Sequence, residues 1–143
     1  MNDKTIPALP IPSGDAGKLL LRVTVGFLVL LHGISKLGSG PGFVVGMLER
    51  HGLPGALGWL VYVGEVVAPL LLIAGLYTRA AAAVVVINML VAIGLVDIDK
   101  LFLIGKSGGW ALELQALYLF GALTVVLLGA GRFSVGGEAG RYN

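Results

Sequence analysis

The chain contains no cysteine. Disulfides, Cys-ligated clusters, covalently attached c-type haem and dithiol relays are therefore excluded. If this protein takes part in redox chemistry, its own thiols do not carry the electrons. Charge is scarce as well. Only 13% of the 143 residues are charged, against about a quarter in ordinary soluble domains. So few charges cannot clothe the surface of a water-soluble fold. Ten basic residues outnumber eight acidic ones by two. They are scattered, so there is no basic stripe for nucleic acid. What the sequence does have is apolar residues, at 57%, a mean hydropathy of +0.93 and 23 glycines. The length suits one domain, and the composition is that of an integral membrane protein in contact with the lipid bilayer.

Four apolar segments are long enough to span, at 18–37, 56–77, 80–96 and 110–130; a span needs roughly 17–25 mostly apolar residues. Their continuous apolarity lacks the alternation of a membrane-barrel strand. The expected fold class is all-α, a four-helix transmembrane bundle with both termini on one side. Residues 1–17, with Pro7, Pro10 and Pro12, read as a polar arm, 18–131 as the bundle and 132–143 as a polar tail. The first apolar run reads as a retained helix, because its basic flank comes late and no small-residue cleavage site follows. In the Gly-rich first loop, "FVVGMLERHG" reads as a short interfacial helix with Phe43, Val44, Met47 and Leu48 facing lipid. Only Thr78 and Arg79 separate the second and third segments, which makes them a tight antiparallel hairpin. The termini side holds Lys4, Lys18, Arg22, Arg79, Arg132 and Arg141; the other holds Lys36, Arg50, Lys100 and Lys106. That bias places both termini in the cytoplasm. "GKSGG" at 105–109 imitates the end of a phosphate-binding loop, but the motif needs glycine where Lys100 stands.

Ionisable groups inside spans cost at least ~2.5–3.5 kcal/mol each, so they face the bundle interior and pair. This chain has Arg22, His32 and Lys36 in the first segment, Glu65 in the second and Glu113 in the fourth, with Asn88 and Gln115 as neutral companions. At 1.5 Å per residue, His32 lies ~6 Å below Lys36, Glu65 ~13 Å below the start of its segment, and Glu113 ~5 Å down. Polar groups from four helices thus share one layer in the outer half of the bundle. Arg22, His32 and Lys36 occupy an arc of about 80° on their helix. Pro69 cannot donate to the Glu65 carbonyl, which frees that oxygen beside its own carboxylate. The bland readings stand beside these. Lys36 can snorkel to headgroups, Glu113 can cap its helix, Arg22 can be a positive-inside anchor, and Asn88 and Gln115 can be interhelical glue. A structural His32–Glu65 or Lys36–Glu pair that only fixes register is a further alternative.

The motifs resemble those of the DoxX family of small bacterial membrane proteins. The resemblance is carried by Arg22, His32, Gly33 and Lys36, by Glu65, by Gly75-Leu76 with Thr78-Arg79, and by Gly108-Gly109 followed by Glu113. It implies a multi-pass protein of the bacterial inner membrane. Members resemble membrane subunits of redox systems: some the small subunit of a thiosulfate:quinone oxidoreductase, others components of oxidative-stress assemblies. For this chain it implies a subunit without a self-contained active site. Its polar layer would bind a quinone headgroup or a small sulfur species, with a soluble or membrane redox partner and a homo-oligomer as further options. His32 and Lys36 would donate to the ligand, and Glu65 and Glu113 would exchange protons with it. Arg22 and Arg79 complete the candidate set by their place in the motifs. Two other classes stay open: a non-catalytic anchor acting through its first loop, Arg79 and tail, and a small transporter, which at this length would need a dimer.

Overall fold

The computed structural model describes residues 13–106, 108–137, 140, 142 and 143. Most of the expected N-terminal arm, residues 1–12, lies outside the described residues. Five helices form. They are α1 (Ser13–Ser39), α2 (Gly42–Arg50), α3 (Gly55–Ala74), α4 (Thr78–Val96) and α5 (Glu113–Leu128). No strand forms among the described residues; a single antiparallel bridge joins Ile104 to Trp110. α1, α3 and α4 are long and apolar enough to cross a bilayer, and α5 is a shorter apolar helix of 16 residues. α1, α3, α4 and α5 pack cyclically as a bundle around Val29, Leu72, Ala82, Val85, Ala122 and Val125.

Local chemistry sets the ends. α1 starts five residues before the expected segment, with Asp15 in its first turn, where the helix dipole favours an acid. It stops where Gly40 takes a φ of +79° and donates to the Lys36 carbonyl at 2.8 Å. α3 stops at Gly75, also left-handed, whose neighbour Leu76 donates to the Leu71 carbonyl. Tyr77, with a φ of 46°, completes the tight turn into α4.

α3 is not one regular helix. Gly55–Leu60 is 3-10, Val63–Val67 is a π turn and Ala68–Ala74 is α. In the π turn the Ala68 N–H donates to the carbonyl of Val63, five residues back. Pro69 follows directly and offers no N–H to Glu65. The widened turn therefore coincides with the residue that lacks a donor, and it carries Glu65.

Gly33 of α1 packs on that same backbone. A Cβ there would collide with the Glu65 carbonyl oxygen and come within 2.7 Å of its carbonyl carbon. Gly33→Ala is accordingly expected to cost about 1–3 kcal/mol through overpacking against backbone that cannot yield. Gly94→Ala, in α4 with nothing within 4 Å of the added Cβ, should instead gain up to ~1 kcal/mol of helix propensity. Thermal unfolding of both variants in one detergent checks the opposite signs.

The short helix α2 forms in the expected loop, but its apolar side turns the other way. Leu48 is buried, Val45 packs on Gly58 of α3, and Phe43, Val44 and Met47 line a partly enclosed cavity. Of the four residues expected to face lipid, Phe43 is the most exposed. Gly55 and Gly58 permit this docking, since a Cβ at either would strike Glu49 or Val45. The segment after Arg132 is bonded to the bundle end. Val135 and Gly136 donate to the carbonyls of Ala74 and Gly75, and Asn143 accepts from the Thr78 hydroxyl at 2.7 Å.

Candidate functional site

A cavity of about 910 Å³ occupies the half of the bundle away from the termini. Its walls are apolar, from α2, the 3-10 part of α3 and α4. Its polar groups are few: His32, Lys36, Glu65, Asn88, Asp97, Gln115 and Tyr118. That balance, a large apolar pocket with a handful of converging polar groups, is typical of small-molecule sites.

At the base lies an ion pair. The Lys36 ammonium donates to both carboxylate oxygens of Glu65 at 2.5 Å. Glu65 is buried, while the Lys36 side chain keeps partial exposure. Asn88 of α4 adds a long contact to Glu65 Oε1 at 3.5 Å. The Lys36 carbonyl accepts from the Tyr62 hydroxyl at 3.0 Å, which ties the last turn of α1 to α3. His32, one turn below Lys36, stands edge-on to the Tyr118 ring, with centroids 5.8 Å apart. Neither the imidazole nor the Tyr118 hydroxyl has a hydrogen-bond partner among the described residues, and both line the cavity. They are the groups free to meet a ligand. At the rim, Asp97 accepts from Lys100 at 2.6 Å and from Gln115 at 3.1 Å.

Three of the six candidate residues therefore line one cavity, His32, Lys36 and Glu65, and two of them, Lys36 and Glu65, are in contact. Glu113 does not join them. It opens α5 as an exposed residue, its carboxylate folded over Gly109, and Gln115 is the polar side chain that faces the cavity instead. Arg22 shares the helix face of Lys36, but fourteen residues put it ~21 Å away along the axis. There it is fully buried, and Nη1 donates to the carbonyls of Leu72 and Ile73 at 2.7 and 2.8 Å. Nη2 donates to the carbonyl of Phe133. Arg79 lies at the same end and donates through Nε to the Asn143 carbonyl. Sequence reasoning missed Asp97 and Tyr118. Tyr118 sits three residues after Gln115, on the same face of α5, and that spacing was the available signal.

Apolar spanning helices around a charged, partly enclosed cavity define an all-helical integral membrane protein with a polar site inside the bundle. The chain belongs to the DoxX family, whose model matches residues 17–98. It is similar to an uncharacterized membrane protein of Mycobacterium tuberculosis, 31% identical over 138 residues, covering 90% of this chain and 85% of that one. It is also similar to a Bacillus subtilis protein that carries the name "Putative oxidoreductase CatD", 27% identical over 107 residues, covering 75% and 79% of the two chains. No solved structure matches the chain significantly.

Proposed function

We propose that this protein is the membrane component of a redox or oxidative-stress assembly, and that its cavity binds the polar head of a small reducible molecule, a quinone headgroup or a small sulfur species. The observation that carries this is the Lys36–Glu65 pair at the base of a largely apolar cavity that the imidazole of His32 also lines. Lys36 and His32 donate to an oxygen of the ligand, and Glu65 exchanges a proton with it, which is ordinary acid–base support for a two-electron carrier. Electrons pass to or from a partner protein, because a chain without cysteine holds no thiol relay or Cys-bound cluster. The name of the Bacillus subtilis relative supports the redox reading. We place the chain in a bacterial inner membrane with α5 as a fourth pass, and the Lys and Arg bias supports cytoplasmic termini, which reporters fused to each end would test.

The ligand test uses the full chain purified in mild detergent. Bound molecules are identified by absorbance and mass spectrometry, and a soluble quinone analogue is titrated against tryptophan fluorescence. His32→Ala and Glu65→Gln should each weaken binding about 10–100-fold, the loss of one hydrogen bond involving a charged group. An analogue that binds both variants as it binds the parent would end this reading.

A second reading, a non-catalytic anchor for a soluble partner, is favoured by the segment bonded to the termini end. It presents exposed Phe133, Val135 and Tyr142. Capture of one partner that survives Glu65→Gln but is lost on Val135→Asp supports the anchor.

A further inference from the structure

The outline of the cavity bears on what kind of molecule fills it, and the inference rests on the head-binding reading above. α3 and α4 meet closely at Gly64 and Asn88, where a Cβ on Gly64 would lie 2.6 Å from the Asn88 side chain. From there to the tight turn at Gly75 they stay packed. In the other direction they part. The 3-10 stretch Gly55–Leu60 makes no substantial packing contact with α4, and α2 reaches across instead. The result is a wedge with Glu65 and Asn88 at its apex. Leu57, Leu60 and Val63 form one wall, and Ile87, Val91 and Leu95 form the other. Leu60 and Ile87 are 59% and 60% exposed, on a flank that in a bilayer meets acyl chains. From Asn88 to Leu95 the wedge is ~10 Å deep at 1.5 Å per residue.

We propose that this wedge is a side door to the bilayer, and that its occupant is a single-chain lipid-soluble molecule with an uncharged oxygen-bearing head at the apex and its chain in the seam. Charge selects the head. The Lys36 ammonium is already matched by the Glu65 carboxylate at 2.5 Å, so the apex has no spare cation for a phosphate or a sulfur oxyanion. What it does have is His32, Tyr118 and Asn88, groups that donate to or accept from neutral carbonyl and hydroxyl oxygens. The apolar walls running from the apex to the flank accommodate a chain, which a head alone would leave empty.

The test compares two probes on the full chain in phosphatidylcholine nanodiscs. Both carry the same dioxygenated aromatic ring; one bears a ten-carbon chain and the other does not. The chain-bearing probe should bind at least tenfold tighter, after correction for its partition into lipid. Leu60→Trp and Ile87→Trp, which fill the seam and leave the apex untouched, should abolish that advantage without changing affinity for the bare ring. Leu60→Ala and Ile87→Ala, which cannot overpack, should reduce it. Equal affinity for the two probes, or an advantage indifferent to all four substitutions, overturns the side door while head binding stands. Displacement of the probe by added phosphatidylglycerol would make the occupant an anionic phospholipid and overturn the choice of head. If neither probe binds in a Glu65-dependent way, the head-binding reading falls and takes this inference with it.

Discussion

Arg22→Ala should lose about 3–5 kcal/mol of stability and free the segment after Arg132. The guanidinium is fully buried and holds three carbonyls, those of Leu72, Ile73 and Phe133. Two of them belong to the last turn of α3, where helical carbonyls have no partner of their own. Each bond to a charged donor is worth about 1.5–3 kcal/mol net, and each abandoned buried carbonyl costs about 1–3 kcal/mol. These terms overlap and do not add, so the expected total lies below their sum. The side chain also ties α1 to residue 133, 111 positions along the chain, and both to the end of α3. Its loss should show in two measurements: a lower unfolding temperature in detergent, and new protease cleavage after Arg132. Arg22→Lys should recover little, since one ammonium cannot copy a planar fork that reaches two separate strands of backbone. A variant that melts with the parent and keeps its C-terminal segment protected would refute this account.

The second large effect concerns the pair at the base of the cavity. Lys36→Met should cost about 3 kcal/mol, the low end for breaking a buried ion pair, because it strands the Glu65 carboxylate. Glu65→Leu should cost less. The Lys36 side chain is 29% exposed against 7% for Glu65, so an orphaned ammonium can reach toward headgroups while an orphaned carboxylate cannot. The double variant should regain most of the loss, since an apolar pair of similar volume is often as stable as a buried ionic one. Ligand binding should stay absent in it. Recovered stability with lost binding separates a functional pair from one that only sets helix register. Single variants within ~0.5 kcal/mol of the parent would mean that the pair does not hold α1 to α3.

The spans were legible because lipid enforces a simple rule: long apolar runs and few charges. Glu65 was legible for a related reason, since a carboxylate four residues before a proline inside a span is costly to leave unpartnered. The companionship of Asn88 followed from its depth. Glu113 misled because the fourth segment begins later than its apolarity does. Gly108, at a φ of +85°, and the Ile104–Trp110 bridge hold the chain out of helix until Glu113. The two-residue step from Glu113 to Gln115 is about 200° of rotation, so only one of them can face inward. Arg22 misled differently. It entered by its place in the motifs, on the face it shares with Lys36, but it lies at the termini end, ~21 Å of helix from Lys36. The order of the C-terminal segment was hidden because most of its partners are backbone groups, carbonyls at the end of α3 and N–H donors at the start of α4, which no side-chain pattern announces.

The π turn at Val63–Val67 amounts to one residue inserted into an otherwise α-helical stretch. Deleting a single residue there would let the helix tighten, and everything from Gly55 to that point would swing by about 100° relative to the hairpin. Val61 and Leu57 would leave the cavity wall, and Gly58 would leave its seat under α2. Sequence length in this short stretch is therefore as constrained as sequence identity: related proteins that keep the site should tolerate substitutions here far more readily than a gap.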